Sequence, residues 1–385
     1  MNPLFLHTSS ILGGSERSFL DLLTRLAPEW AVEPVIVLPS EGPLREEVHA
    51  IAPQAKILKI PFPGMSERAT QKHPWYSLLL MLGSAGKLKN YFTELGTVID
   101  SRQINTVYTN GIKCHLTSLV LKRKRDFKLI WHLQDFFPEL AYVKAFMAFH
   151  GKGPDAVIAN SNAVLDKFKP LMPKAWTPKL STVYNAVDQS SYRPGRFESP
   201  EVTVTIVGML TPWKGQHLFI RAATELAPHF PEAKFLIVGD EMYRTHGERG
   251  YKKHLRDLVR SGGLEGRVEF TGFLRDLTGV YARSDIVVHA SLKPEPFGRV
   301  IIEAMSCEKA VIATRGGGVP EIVRDGVDGI LVDMGDGRQL TAAIRRLLEK
   351  KDLRSSLGRQ ARQRVLGQFT ADRFAAQINT ILRSL

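Results

Sequence analysis

Glu295 and Glu303 stand eight positions apart, with Pro296-Phe297-Gly298 between a strand-and-loop segment and an apolar helical run over 299–307. The first carboxylate therefore falls on a loop and the second just over one turn into a helix. A helix start leaves N–H groups without intrahelical partners and carries partial positive charge, which suits a phosphate group. If that start faces a cleft, its N–H groups could bind a diphosphate while Glu303 accepts hydrogen bonds from ribose hydroxyls and Glu295 from a sugar. The plainer reading makes both glutamates solvated residues near a helix start, where negative charge is favoured in any case.

Two glycine turns offer the same phosphate chemistry, Gly13-Gly14 before a helical run over 15–26 and Gly208 through Gly215 before another over 216–227. Lys214 lies in the second turn, while many such turns need glycine only for geometry. His132 ends an apolar strand; by itself it reads as a structural hydrogen-bonding residue. The chain contains no Asp-x-Asp motif and no Cys/His cluster with metal-ligand spacing, so no metal is expected.

The elements that must position these residues alternate short Val/Ile/Leu runs with longer stretches of helical period, the pattern of parallel strands joined by crossover helices. The fold class is α/β. Strands are expected at 3–8, 34–39, 56–61, 106–110, 128–133, 156–161 and 181–184, and a second series at 202–208, 234–239, 268–272, 285–290, 310–314 and 329–332. Between the series lies a polar stretch with two prolines. The expected domains are 1–187, a linker at 188–201, a second domain at 202–369 and a closing helix at 370–385.

The 385 residues are 44% hydrophobic and 24% charged, which excludes disorder of the whole, and the net charge of +13 attracts anions. Two cysteines cannot make a disulfide framework, and the first residues read as a buried strand rather than a signal peptide. A cytoplasmic location is expected, with any membrane contact peripheral at the inner face. The longest apolar run, 77–82, is far short of the roughly 20 residues that cross a bilayer.

Taken together, these segments resemble glycosyltransferase family 4, retaining enzymes of the GT-B fold. The family's Glu, seven residues, Glu signature is read here as Glu295-Pro296-Phe297-Gly298-Arg299-Val300-Ile301-Ile302-Glu303-Ala304-Met305, and the blocks 310–323 and 325–332 follow as the family's downstream segments do. Gly13-Gly14-Ser15-Glu16-Arg17 resembles its amino-terminal glycine loop, and Trp131-His132-Leu133-Gln134-Asp135 its His-containing strand end. The resemblance spans most of the chain. It implies two Rossmann-like domains facing across a cleft, with the carboxyl-terminal helices packing back on the first.

It also implies transfer of a hexose, glucose from UDP-glucose, to a saccharide or lipid-linked saccharide acceptor, with retention at the anomeric carbon. His132 would sit beside the donor sugar, Lys214 would stabilise the leaving diphosphate, and Glu295 would act at the sugar. Gly13, Gly14, Met209, Pro296, Phe297, Gly298, Arg299, Val300 and Glu303 would complete the donor site, without a cofactor or metal. Asn185 resembles a structural residue of the turn closing the first domain. One departure stands out: where the family has Gly-Arg-Leu this chain has Gly208-Met209-Leu210. Methionine cannot neutralise phosphate, so either Arg299 supplies the missing cation or donor affinity rests on Lys214 and helix-start N–H groups.

The acceptor side is less legible. Residues 75–92 could lie in a membrane interface or pack in a core, and Lys122-Arg123-Lys124-Arg125 could touch anionic lipid or simply end a helix. Phe136-Phe137-Pro138 and 142–149 follow His132 and could border the acceptor. Alternatives to a retaining transferase are an inverting transferase or epimerase, a donor-binding homologue without transferase activity, and a basic nucleic-acid-binding protein. The last lacks any visible aromatic-basic recognition module.

Overall fold

In the computed structural model, which describes residues 2–26, 33–63, 85–195, 201–241 and 250–385, apolar runs such as Val35–Leu38 and Ala156–Ala159 are buried along their whole length. A strand is buried this way when both faces of its sheet are covered, the setting of parallel sheets. The chain divides into two units, Met1–Asn185 with Ala371–Leu385, and Ala186–Thr370.

The first unit holds β1 (Pro3–His7), β2 (Val35–Leu38), β3 (Lys56–Lys59), β4 (Thr106–Asn110), β5 (Lys128–Leu133), β6 (Ala156–Ala159) and β7 (Lys179–Thr182). They form a parallel sheet in the order β3-β2-β1-β4-β5-β6-β7. β1 therefore pairs with both β2 and β4, and the strand order reverses between β1 and β4. The second unit repeats the plan with β8 (Val202–Val207), β9 (Ala233–Val238), β10 (Val268–Gly272), β11 (Ile286–His289), β12 (Ala310–Arg315) and β13 (Ile330–Asp333), in the order β10-β9-β8-β11-β12-β13. Its reversal lies between β8 and β11. At such a reversal the crossovers leave to opposite faces and open a crevice beyond the carboxyl ends of the two strands. The two Rossmann-like sheets expected of the GT-B fold are thus both present.

The seventh strand runs over Lys179–Thr182 rather than 181–184. It is an edge strand of mixed exposure, so its register comes from pairing with β6 and not from an apolar run; Val183 N–H still donates to Ala159 O at 2.9 Å beyond its end. Of the polar stretch at 188–201, residues 188–195 lie in the second unit and 196–200 outside the described residues. Ser306 Oγ donates to Tyr192 O at 2.5 Å, Lys309 Nζ to Gly195 O at 3.0 Å, and Tyr192 packs on Tyr281.

The carboxyl-terminal helix, Ala371–Arg383, belongs to the first unit, as the resemblance implies. It lays Phe374, Ile378 and Leu382 into the core beside helix Gly14–Leu26, and Arg25 pairs with Asp372 at 3.0 Å. The Phe374 ring lies 6.1 Å from that of His132.

Candidate active site

In the second unit, the loop after β8 and the loop after β11 meet at the switch point through one ion pair, Lys214 Nζ to Glu295 Oε1. Two glycines, one in the loop after β8 and one in the loop after β12, lock this arrangement. Gly215, at φ +75°, would put a Cβ 2.0 Å from Ala290 O, and Gly317, at φ +61°, would put one 1.9 Å from Glu295 O. Leu292 N–H donates to Trp213 O at 2.7 Å, tying the two loops together, and the Lys214 ammonium rests over the Trp213 ring at 4.3 Å. Glu295 Oε1 also receives Ser291 Oγ at 2.5 Å and His289 Nε2 at 3.0 Å. Burial by itself would raise this carboxyl; Lys214 and then His289 outweigh it and hold Glu295 well below the usual carboxylate range. The result is a charged carboxylate that fixes a lysine at the carboxyl edge of the sheet.

Glu303 is also buried, at 2% exposure, but with different partners. Tyr281 Oη donates to its Oε2 at 3.0 Å and Arg299 Nε reaches its Oε1 at 3.4 Å. Arg299 Nη1 meanwhile donates to Ala186 O at 2.9 Å. The Arg299 guanidinium thus links the Glu303 carboxylate to the Ala186 carbonyl within the second unit and holds Glu303 on helix Arg299–Ser306. That helix begins at Gly298 with no side-chain cap, so its first-turn N–H groups carry their partial charge outward. Phe297 is buried against Phe369 at 6.0 Å, the Val300 carbonyl accepts from Tyr281 Oη at 3.4 Å, and Pro296 is half-buried. Met209 is half-buried too, and its carbonyl accepts from Gln216 Nε2 at 2.9 Å.

In the first unit, His132 is 3% exposed and sits in a chain of buried polar groups. Asn160 and Asn185 donate to Gln134 Oε1 at 3.2 and 2.8 Å, which turns the Gln134 amide nitrogen toward His132 Nε2 at 3.0 Å. Nε2 is then the acceptor, and Nδ1–H donates to Tyr108 Oη at 2.6 Å. Asn185, which accepts from Ser18 Oγ at 2.7 Å, is a member of this network. In the glycine turn, Gly13 N–H donates to Glu16 Oε2 at 3.1 Å and Gly14 is the first residue of its helix.

The switch point of this unit opens into a recess of about 200 Å³. Thr8 follows β1, Gly111 and Lys113 follow β4, and Gln134 and Asp135 follow β5; His115 lines it from the first turns of helix Ile112–Lys122. His115 Nδ1 is bonded to Thr109 Oγ1 at 2.7 Å and its ring stacks on Trp131. None of the lining residues comes from 136–149. Instead Phe137 is buried against Trp131, Phe136 lies under the Lys167 ammonium, and Tyr142 and Phe149 face solvent. Among the described residues no group of three or more His, Cys, Asp or Glu is arranged to hold a metal ion. No helix there is long and apolar enough to cross a membrane.

His289, Ser291 and Tyr281 escape the sequence reading, as do Thr8, Lys113 and His115. His289 had a usable signal, a histidine closing a parallel strand just before Glu295. Ser291 and His115 bond to partners close in the chain, but nothing in their residue type marks them out, and Tyr281, Thr8 and Lys113 reach their sites by packing between segments remote in the chain.

Burial lowers three histidines of the first unit, His7, His115 and His132, each to about 3. Above pH 6.5 they are neutral whether folded or not, and their contribution to stability is complete. Between pH 6.5 and 3 the unfolded chain takes up protons that the folded unit refuses, so each costs about 1.4 kcal/mol per pH unit. Glu16, raised by burial, offsets part of this. Calorimetric melting of the wild-type chain should show the first unit losing stability steeply from pH 6.5 to 5, with a shallower fall for His115→Gln. A melting temperature flat across that window would refute the assignment.

Residues 189–364 match the family described as Glycosyl transferases group 1. The second unit carries a group 1 glycosyl transferase domain. The switch-point pair Lys214–Glu295 and the Glu303 cluster both fall inside the group 1 domain. Spore coat protein SA of Bacillus subtilis is 28% identical over 222 residues, 53% of this chain and 58% of that protein, so the chain spans little more than half the length of that relative. The lipopolysaccharide core biosynthesis glycosyltransferase LpsE of Rhizobium meliloti is 25% identical over 370 residues, 94% of this chain and 93% of that protein. Among solved structures, HepE of Anabaena in complex with UDP-glucose is 25% identical, covers 100% of both chains and superposes with a TM-score of 0.80. The likeness extends beyond the group 1 domain into the first unit.

Proposed function

We propose that this protein is a retaining glycosyltransferase that moves a hexose, glucose from UDP-glucose, to a saccharide or lipid-linked saccharide acceptor in glycoconjugate synthesis. The observation that carries this reading is the Lys214–Glu295 pair, held at the β8/β11 switch point of a group 1 domain. The uncapped start of helix Arg299–Ser306 follows on the same segment. A departing nucleoside diphosphate needs preorganised positive charge, and Lys214 with the N–H groups of that helix supplies it. Glu303, held in place by Arg299 and Tyr281, accepts from the ribose hydroxyls, and Glu295 positions both Lys214 and the sugar. Arg299 acts through Glu303 rather than replacing the arginine lost at Met209. Glucose and uridine are supported by the whole-chain likeness to a protein solved with UDP-glucose. The recess of the first unit, at a switch point and lined in part by Thr8, Lys113, Gln134 and Asp135, is assigned to the acceptor.

Calorimetric titration with UDP-glucose, GDP-mannose and UDP tests the donor site. Wild type should bind UDP-glucose and UDP in preference to GDP-mannose, and Glu303→Gln should weaken both by about tenfold, the cost of roughly one good hydrogen bond to a charged group. Failure of the wild type to bind any of the three would end the donor assignment. Binding without turnover would favour a donor-binding homologue, the reading that Met209 motivates. Proton NMR of the product's anomeric coupling decides between retention and inversion.

A further inference from the structure

Helix Ala141–Phe149 buries Val143 and Met147, at 3% and 0% exposure, against the first unit. The arc opposite is where a surface helix carries its charge. Here that arc is apolar: Tyr142, Ala145 and Phe149 recur at helical spacing, with Ala141 and Ala148 beside them, all exposed. Phe149 is 72% exposed, Tyr142 52%, and Leu140 at the N-cap 38%. The helix contains no acidic residue, and its one charge, Lys144, lies exposed at the margin of the arc.

Cations frame the arc at its far end. The Arg123 guanidinium, at the carboxyl cap of helix Ile112–Lys122, lies 5.0 Å over the Phe149 ring. Lys124 and Lys152, both exposed, follow Arg123 and Phe149 in the chain. Lys122 and Arg125 are neutralised by Asp155 and Asp100, and among the described residues Arg123, Lys124, Lys144 and Lys152 stand outside the ion pairs of this region. The exposed acids flanking these segments in the chain are Glu139 and Asp126.

We propose that this face docks the protein on an anionic bilayer. Leu140, Tyr142 and Phe149 enter the headgroup boundary, and the four cations rest on acidic headgroups. Tyrosine suits that boundary because its ring enters the apolar layer while its hydroxyl stays wet, and phenylalanine adds a ring with no polar group to desolvate. Nine helical residues extend about 13 Å, so the helix lies along the surface and does not span. A second copy of the chain fits poorly, since a two-fold contact would set one group of cations against the other. The sequence leaves membrane contact open at 75–92 and 122–125. Of these, 75–84 lie outside the described residues, and Lys122 and Arg125 are engaged in ion pairs. The proposal does not depend on the transferase reading.

Flotation of the full-length chain with vesicles of 30% phosphatidylglycerol in phosphatidylcholine, and with pure phosphatidylcholine, tests it. Wild type should float with the anionic vesicles only and lose binding as salt rises. Tyr142→Asp combined with Phe149→Asp should bind at least about tenfold more weakly, with the same melting temperature as wild type. A Phe149→Trp variant should show blue-shifted emission with anionic vesicles. Equal binding by wild type and the double variant, or no binding by wild type, would overturn the proposal. So would a concentration-dependent dimer that the double variant abolishes without any vesicle binding, which would assign the face to a second copy.

Discussion

Replacing Lys214 by methionine should lower turnover with UDP-glucose by about two to three orders of magnitude, the usual cost of removing one preorganised stabiliser of a developing negative charge. Methionine keeps much of the length and volume and removes only the ammonium. The loss also reaches the fold, because Glu295 would keep its buried carboxylate with only His289 and Ser291 as partners. Breaking one side of a buried pair costs on the order of 3 kcal/mol, so the second unit should melt earlier. Lys214→Arg restores the charge with altered geometry and should recover part of the turnover. Glu295→Gln separates the two roles: the lysine keeps its charge but loses its anchor, so KM for the donor should rise along with the fall in kcat. Turnover of Lys214→Met within about threefold of wild type, in a protein that melts normally, would remove Lys214 from the chemistry.

Deletion of residues 371–385 should unfold the first unit or lower its melting temperature by more than about 10 °C. The helix buries Phe374, Ile378 and Leu382 at 2%, 0% and 4% exposure. Each such side chain contributes roughly 1.5–3 kcal/mol, and their sum approaches the whole stability of many domains. The point variant Phe374→Ala, costing about 3 kcal/mol or more, keeps the measurement possible if the deletion does not fold. It also uncovers the ring of His132, so donor turnover should fall further than stability alone explains. Differential scanning calorimetry resolves this if the transition assigned to the second unit stays in place. Unchanged melting of the truncated chain would contradict the packing of the tail.

What could be read beforehand was local. The Pro296-Phe297-Gly298 punctuation places Glu295 on a loop and Glu303 on a helix, and both are found there. Gly215 and Lys214 announce a turn after a strand, and the turn is there. On the acceptor side the cue was composition alone. Aromatics at 136–149 suggested a binding wall, yet Phe137 went into the core and Phe149 to the surface, because aromatic content alone does not say which face of a helix is covered.

By itself the sequence determined the α/β alternation, two sheets, the strand ends from which the loops emerge, and a carboxyl-terminal helical tail. These follow from period, apolar content and turn residues within windows of some ten positions. Only the tertiary structure decided that Lys214, 81 positions upstream, closes on Glu295, that Tyr281 and Arg299 hold Glu303, and that Phe374 covers His132. Parallel strands joined by crossovers pair out of chain order, as β1 with β4 and β8 with β11 do. The switch points created by that pairing, and the partners gathered at them, are properties of long-range packing that no local window contains.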